Sequence, residues 1–200
     1  MTKKKIISLG NDGQLLLKGP DGRGEPVPPR SALQQGTAYL LLDCSESMAG
    51  EKLKQARRGA GDFIRQAIAK GYGVGLISFD DHASVLVQRT CSYPGFEGPL
   101  SRLDAAGTTN MTGALNLAFS VLSTVGGIRF VVLVSDGTPD DPMSTSASAR
   151  KLAMNGVQLI TIATQDADTA FLAGIATTRE LAVVVRQDQL RIGIAGTALS

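Results

Sequence analysis

Three short polar segments of the sequence contain the side chains best suited to chemistry. DCSES, residues 43–47, places a carboxylate and two hydroxyls at alternate positions. GTTN, residues 107–110, adds two threonine hydroxyls, and Asp136 adds a second carboxylate. These candidate ligands are all hard oxygen atoms, without nitrogen or sulfur. Such ligands suit Mg²⁺ or Mn²⁺ in an octahedral shell that keeps some waters. Because two carboxylates only match the charge of such an ion, we expect it to stay open to an oxygen ligand from outside.

Each of these segments lies where a predicted strand or helix begins or ends. AYLLL, residues 38–42, is a continuous apolar run that ends directly before Asp43, and RFVVLVS, residues 129–135, ends directly before Asp136. The threonine segment directly precedes a helix predicted over 112–125. Ligands of parallel sheets bind beyond the carboxyl ends of the strands. We therefore expect the three segments to converge at one edge of a sheet.

Strands and helices alternate along the rest of this region. Continuous apolar runs are typical of strands buried on both faces, and apolar residues recurring every three to four positions indicate helices that bury one face. This alternation predicts an α/β, doubly wound fold whose parallel sheet is covered on both sides. The predicted strands are 38–42, 72–79, 84–89, 129–135, 157–163 and 180–185. The predicted helices are 53–68, 112–125, 142–155, 168–176 and a last one from about 188.

The first 35 residues differ from this pattern. IISL and QLLLK are two short apolar runs around an Asn-Asp-Gly turn, which indicates a β-hairpin. Residues 20–31 contain four prolines and are predicted to be a semi-rigid linker or surface strap. We expect an N-terminal hairpin and strap over 1–35 and one α/β domain over 36–200.

Composition excludes several classes of protein. With 43% hydrophobic and 19% charged residues the chain can bury a core, and 20 Lys and Arg against 18 Asp and Glu provide no basic field for nucleic acid. The start has too little apolar sequence for a signal peptide, and the uncharged run 105–128 is too polar to span a membrane. Two cysteines are too few for a disulfide framework, so we expect a cytoplasmic protein.

At the level of motifs, the sequence resembles von Willebrand factor type A (VWA) domains. LLLDCSESM, GTTNMTGAL and VVLVSDGTPDD look like the three parts of their metal-ion-dependent adhesion site (MIDAS), in the expected order. The resemblance implies a Rossmann-like, mostly parallel six-stranded sheet with one short antiparallel edge strand and helices on both faces. It also implies a prokaryotic domain. We expect no enzymatic activity, because the sequence has no base, oxyanion donor set or phosphate-binding loop with the required spacing.

The resemblance implies which side chains hold the metal. The implied ligands, by hydroxyl or by carboxylate directly or through water, are Asp43, Ser45, Ser47, Thr109 and Asp136. Thr109 is chosen because the ligand threonine of the family usually precedes a polar residue, and Thr108 is the alternative. In the family a partner's Asp or Glu often completes the coordination of Mg²⁺ or Mn²⁺. The implied function is a metal-dependent protein–protein interaction module, in a bacterial system that accompanies AAA+ ATPases or resembles tellurium-resistance proteins.

Other interpretations stay open from the sequence. The polar residues at the strand ends could simply cap helices. Asp43 could serve a metal-dependent phosphohydrolase, although no base or phosphate-binding loop has the required spacing. A third interpretation is a structural subunit that assembles through the N-terminal hairpin.

Three further residues near the motifs receive ordinary interpretations. Glu46 stands where many relatives have a small residue, and we expect it to point to solvent because unpaired Glu is seldom buried. Cys44 is expected to be a packed or loop cysteine. His82 is expected to be a loop residue, because an oxygen site needs no nitrogen ligand.

Overall fold

A computed structural model of the protein describes residues 36–197 and the backbone of three short strands before them. The chain divides into two compact units, Met1–Leu33 and Gln34–Ser200.

The N-terminal unit contains an antiparallel sheet of three strands: β1 (Ile6–Leu9), β2 (Leu15–Lys18) and β3 (Gly24–Pro26). β1 pairs with β2 as a hairpin does, with Ile6 opposite Lys18. The Asn-Asp-Gly turn lies outside the described residues. β3 lies within the segment predicted as a strap, where the sequence pattern indicated no strand. Backbone pairing needs no apolar side chains, and proline is tolerated at the end of an edge strand. The composition of the segment therefore did not indicate this strand.

The second unit is built on a six-stranded sheet in the order β6-β5-β4-β7-β8-β9. Its strands are β4 (Gly36–Asp43), β5 (Tyr72–Phe79), β6 (Ala83–Thr90), β7 (Ile128–Ser135), β8 (Val157–Thr164) and β9 (Ala182–Val185). All neighbouring strands are parallel except β6, which pairs antiparallel with β5 at the edge. The predicted doubly wound fold with one antiparallel edge strand is confirmed.

Six α-helices cover this sheet in the described part of the chain. They are α1 (Glu51–Ala69), α2 (Pro94–Ser101), α3 (Met111–Leu122), α4 (Pro142–Met154), α5 (Thr169–Ile175) and α6 (Leu190–Gly196). None of the helices in 36–197 is long and apolar enough to cross a bilayer.

Alternating side chains of the central strand β4 form the cores on the two faces of the sheet. Leu40 and Leu42 pack with buried residues of α1, α2 and α6. Tyr39 and Leu41 pack with buried residues of α3, α4 and α5. Every residue of β4 is buried, which is why its sequence is a continuous apolar run rather than an alternating one.

The strand order reverses direction beside β4. The chain runs from β4 outward to β5 and β6 on one side, then returns to β7 on the other side and continues to β8 and β9. The carboxyl ends of β4 and β7 therefore flank the topological switch point, where open α/β sheets bind their ligands. Asp43 ends β4, and Asp136 follows β7 directly.

The sequence pattern did not predict helix α2. α2 has the sequence PGFEGPLS, whose two prolines and two glycines argue against a helix. Tertiary burial overrides this propensity, because Phe96 and Leu100 are both buried in the core that α1 also lines.

The last strand is shorter than the predicted range 180–185. Arg179–Leu181 forms a 3₁₀ turn, and β9 begins only after it.

Candidate metal centre

Asp43 lies at the base of the site. Its side chain is completely buried, with Oδ1 accepting a hydrogen bond from the Ser45 backbone N–H at 2.8 Å and Oδ2 accepting one from Ser135 Oγ at 2.5 Å. Burial raises the pKa of Asp43 to about 6, although the hydrogen bonds from Ser135 and Ser45 oppose the rise. The nearby charge of Asp136 adds to the increase. Ionisation of the Asp43 carboxyl at this buried position therefore costs desolvation free energy.

A chain of hydroxyls connects Asp43 to the second carboxylate. Ser45, whose backbone binds Asp43, has its Oγ 3.1 Å from Ser47 Oγ, and Ser47 Oγ donates to Asp136 Oδ1 at 2.8 Å. Ser45 is buried and Ser47 is exposed. The row of oxygens thus runs from the buried end of β4 toward solvent.

Thr109 reaches the same place from the third loop. A Cβ built on Gly137 would lie 3.2 Å from Thr109 Oγ1 and 3.9 Å from Ser47 Oγ, so both hydroxyls lie against this glycine. Thr108, by contrast, is exposed, and its Oγ1 donates to Asp140 Oδ2 at 2.8 Å. Of the two threonines, the buried Thr109 is the one whose hydroxyl lies beside the serine loop.

Backbone hydrogen bonds tie the threonine loop to the serine loop. Ala106 N–H donates to the Cys44 carbonyl at 2.8 Å, and Glu46 N–H donates to the Gly107 carbonyl at 3.1 Å. Gly107 has φ +71°, a left-handed conformation that favours glycine, and a Cβ there would come within 2.7 Å of Asp81 Oδ1. The same Asp81 oxygen accepts the Thr108 N–H at 2.8 Å. The two loops are therefore fixed relative to each other by their main chains.

Lys52, in the first turn of α1, is a member of this cluster that sequence reasoning missed. Its Nζ donates to Asp136 Oδ2 and, at 2.5 Å, to Asp166 Oδ2, and its side chain is only 13% exposed. Burial tends to lower the pKa of Lys52, but the two carboxylates raise it overall. Asp166 follows β8 and could have been found by the strand-end argument. Nothing in the sequence distinguishes Lys52 from the other cations of α1.

The donor set fits a divalent cation. Five side chains from three loops offer only oxygen atoms, and each carboxylate oxygen has a second lone pair beyond its present hydrogen bond. Within the described ranges, no three His, Cys, Asp or Glu side chains cluster closely enough to hold a metal by themselves. Any metal here must depend on the serine and threonine hydroxyls. Such a mixed hydroxyl and carboxylate set is typical of a hard cation that also keeps water.

Residues beside the site have the ordinary environments expected of them. Glu46 and His82 are exposed. Cys44 is buried, its Sγ lies 3.7 Å from the Leu42 carbonyl, and burial raises the pKa of its thiol to about 12. A thiol in this state is almost entirely protonated near neutral pH, so Cys44 is not a nucleophile there.

The sequence and fold match known proteins. The family model of the von Willebrand factor type A domain matches residues 39–191. A UPF0353 protein of Mycolicibacterium gilvum (strain PYR-GCK) is 28% identical over 148 residues, covering 64% of this chain and 44% of that protein. This chain therefore spans less than half of the length of that curated relative.

Two solved structures show the same fold. The vWF domain of the type V pili tip protein Mfa5 from Porphyromonas gingivalis has a TM-score of 0.74 at 14% identity, covering 82% of this chain and 93% of that one. Proximal thread matrix protein 1 from the mussel byssus, described with a zinc-occupied MIDAS motif, has a TM-score of 0.67 at 15% identity, covering 82% and 46%. With the family model matching most of its length, this chain belongs to the von Willebrand factor type A domain family.

Proposed function

We propose that this domain is a metal-dependent protein–protein interaction module. Mg²⁺ or Mn²⁺ would be held by the MIDAS ligands Asp43, Ser45, Ser47, Thr109 and Asp136, and a partner's Asp or Glu would complete the coordination. The observation that carries the proposal is the convergence of three loops whose side chains present only oxygen atoms at the switch point of the sheet. The zinc-occupied MIDAS of the similar mussel protein supports a divalent cation at this place in the fold.

The charges of the site favour an anionic partner. Asp43 and Asp136 together balance the two charges of a divalent ion, and Lys52 offsets part of the charge of Asp136. A bound ion would therefore keep an excess of positive charge that a carboxylate from outside can neutralise. Ser47 is exposed and Asp43 is buried, so the chain's own ligands cover the inner side of the ion and leave its outer side to the partner.

Binding is a better proposal than hydrolysis. A phosphohydrolase would need Asp43 as an accessible nucleophile, but this carboxyl has no exposed surface and both of its oxygens accept hydrogen bonds. These contacts suit a residue that holds its loop and a metal rather than one that attacks substrate.

We further propose a cytoplasmic setting within a bacterial multiprotein system, of the kind that accompanies AAA+ ATPases or resembles tellurium-resistance proteins. The bacterial source of the curated relative supports the bacterial part of this proposal. Cys44 and Cys91 form no disulfide, which suits a reducing compartment.

Thermal denaturation tests the metal site. At a hundred times its dissociation constant, Mg²⁺ or Mn²⁺ is expected to stabilise the protein by about 2.7 kcal/mol relative to the same protein in EDTA. Thr109→Val should abolish the increase in melting temperature, and Thr108→Val should retain it. No increase in the wild-type protein at millimolar metal would overturn the proposed site, and equal effects of the two variants would overturn the choice of Thr109.

Partner capture tests the bridging role. Immobilised wild-type protein, incubated with lysate of its native cell, should retain a partner with Mg²⁺ present and lose it in EDTA. Ser45→Ala should fail to retain the same partner in Mg²⁺, while Ser92→Ala, an exposed serine after β6, should retain it. Capture that is indifferent to EDTA and to Ser45→Ala would contradict a metal bridge.

A further inference from the structure

A groove of about 440 Å³ lies between α1 and α2, outside the metal centre. Its charged lining consists of Lys54, Arg57, Arg58 and Arg65 from α1 against the single acid Glu97 from α2. The four cations share one flank of α1, because positions 54, 57, 58 and 65 recur at helical spacing. The opposite flank of α1 is apolar and buried, with Phe63 and Ile64 in the core. The groove is therefore a concentrated positive surface on a domain of otherwise balanced charge.

Contacts hold two cations of this row, Arg57 and Arg65, in place. Arg57 Nη1 donates to the Leu103 carbonyl at 2.9 Å, and the Arg65 guanidinium lies 4.4 Å from the centre of the Tyr93 ring. Stacking of a guanidinium on an aromatic face fixes its position while leaving its N–H donors available. Arg65 also pairs with Asp62 at 3.3 Å. Arg57 and Arg65 are thus positioned by the fold rather than free to move apart.

Arg58, in the middle of the row, has unused capacity for binding. It is exposed and its guanidinium donates no hydrogen bond to any residue in 36–197, although its charge acts on Glu51. A guanidinium presents five N–H donors in a planar fork that matches a carboxylate. Arg58 is therefore the cation of the groove with most to gain from an anionic ligand.

The floor of the groove is built to bring an aromatic residue close to α1. A Cβ on Gly61 would lie 3.1 Å from the Tyr93 hydroxyl, so glycine gives the tyrosine room to approach the helix. Glycine inside a helix costs about 1 kcal/mol relative to alanine. Tyr93 in turn stacks on the buried Phe96, with ring centroids 6.3 Å apart. Half-buried Tyr93 and buried Leu100 add apolar surface beside the cations.

We propose that this groove binds an acidic peptide segment of a partner protein. Lys54 and Arg65 are separated by about 16 Å along the helix axis, a span that an extended peptide crosses in about five residues. One phosphate group cannot reach both ends. Glu97 lies in the groove itself, and Glu51 and Asp62 lie next to its cations, where they pair with Lys54 and Arg65. These acids would repel the continuous phosphates of nucleic acid, whereas a peptide can place its carboxylates at intervals. Charge complementarity therefore favours a peptide with several Asp or Glu residues.

Fluorescence anisotropy with a labelled hexaglutamate peptide tests this proposal in EDTA, so that the metal centre takes no part. Wild-type protein should bind the peptide at about 50 mM salt and lose it as salt rises. Arg58→Glu should weaken binding at least about tenfold, and Arg58→Lys, which keeps the positive charge without the planar fork, should weaken it less. Arg150→Glu is the matched control, because Arg150 is an exposed cation on α4, on the other side of the sheet. It should change affinity by less than about twofold.

Three outcomes would overturn the proposal, with circular dichroism confirming that each variant is folded. One is absence of hexaglutamate binding by the wild type. Another is equal weakening by Arg58→Glu and Arg150→Glu, which would indicate only general attraction to the protein's charge. The third is tighter binding of a single-stranded oligonucleotide of equal charge, lost in Arg58→Glu, which would assign the groove to nucleic acid. Because metal is absent throughout, none of these results bears on the proposed MIDAS function.

Discussion

The ammonium group of Lys52 forms an ion pair with the carboxylate of Asp136. It also pairs with a second carboxylate, Asp166, whose Oδ2 lies 2.5 Å from Nζ. The first carboxylate belongs to the proposed metal ligands, and the second does not. Asp136 also accepts the Ser47 hydroxyl on its other oxygen. One carboxylate is therefore shared between the internal cation of the protein and the proposed metal site.

Removing the charge of Lys52 is expected to tighten metal binding. Lys52→Met keeps a long side chain but removes a positive charge that competes with the metal for Asp136, while the Ser47 hydrogen bond still holds the carboxylate. We expect the Kd for Mn²⁺, measured by isothermal titration calorimetry, to fall by about tenfold, the effect of about 1.4 kcal/mol. Lys54→Met, two residues along α1 at an exposed position, is the control and should leave Kd unchanged. Equal or weaker binding in Lys52→Met would show that Lys52 helps to position Asp136 instead.

The raised pKa of Asp43 predicts how the stability of the metal-free protein depends on pH. Its pKa is about 6 in the folded protein against an ordinary value of 3.8, so between these values the unfolded state releases the proton more readily. This contribution to stability is fully present at low pH and is lost as pH rises from about 4 through about 6. Asp43→Asn should remove the decline and stabilise the metal-free protein at neutral pH by roughly 1–3 kcal/mol.

Urea denaturation across this pH range in EDTA measures the effect. Asp188→Asn is the matched control, since Asp188 is exposed and belongs to none of the three loops of the metal centre. It should retain the wild-type pH dependence. An Asp43→Asn variant whose stability still declines over the same range would disprove the assignment of the decline to Asp43.

The two cysteines are expected to differ sharply in reactivity. Cys44 is buried with a thiol pKa of about 12, and Cys91 is exposed. Only the thiolate attacks a disulfide reagent, so Ellman's reagent should modify one thiol of the folded protein rapidly and both in denaturant. Cys91→Ser should abolish the rapid phase. If that variant still reacted rapidly, Cys44 would have to be accessible and ionised, contrary to its burial.

Two glycines inside helices should respond to alanine with opposite signs. A Cβ on Gly59 of α1 would lie 2.9 Å from the backbone oxygen of Arg191 in α6, so Gly59→Ala should force these helices apart. We expect a loss of about 1–3 kcal/mol in the free energy of unfolding. Gly174 of α5 has no atom within 4 Å of such a Cβ. Gly174→Ala should be neutral or stabilising by up to about 1 kcal/mol, as measured by urea denaturation.

The architecture was largely predictable because strands buried on both faces must be apolar throughout. The uninterrupted run in β4 and the run in β7 marked two neighbouring strands, and the polar residue after each run marked the edge where loops meet. The start of α4 was also predictable, because Asp141 is its N-cap and accepts a hydrogen bond from the Ser144 N–H. Local composition failed for α2, where burial of Phe96 overrides the prolines and glycines.

The side-chain types at the strand ends can be read from the sequence alone, and these types predict a site for a hard cation. The sequence favours Thr109 over Thr108 only through the family resemblance. In the folded protein the Thr109 and Ser47 hydroxyls both lie against Gly137, because two adjacent side chains diverge according to backbone conformation. Only the tertiary structure decided that Lys52 reaches Asp166, 114 residues away along the chain. Such a pair forms because the fold brings the first turn of α1 beside the segments that follow β7 and β8, which no local sequence pattern indicates.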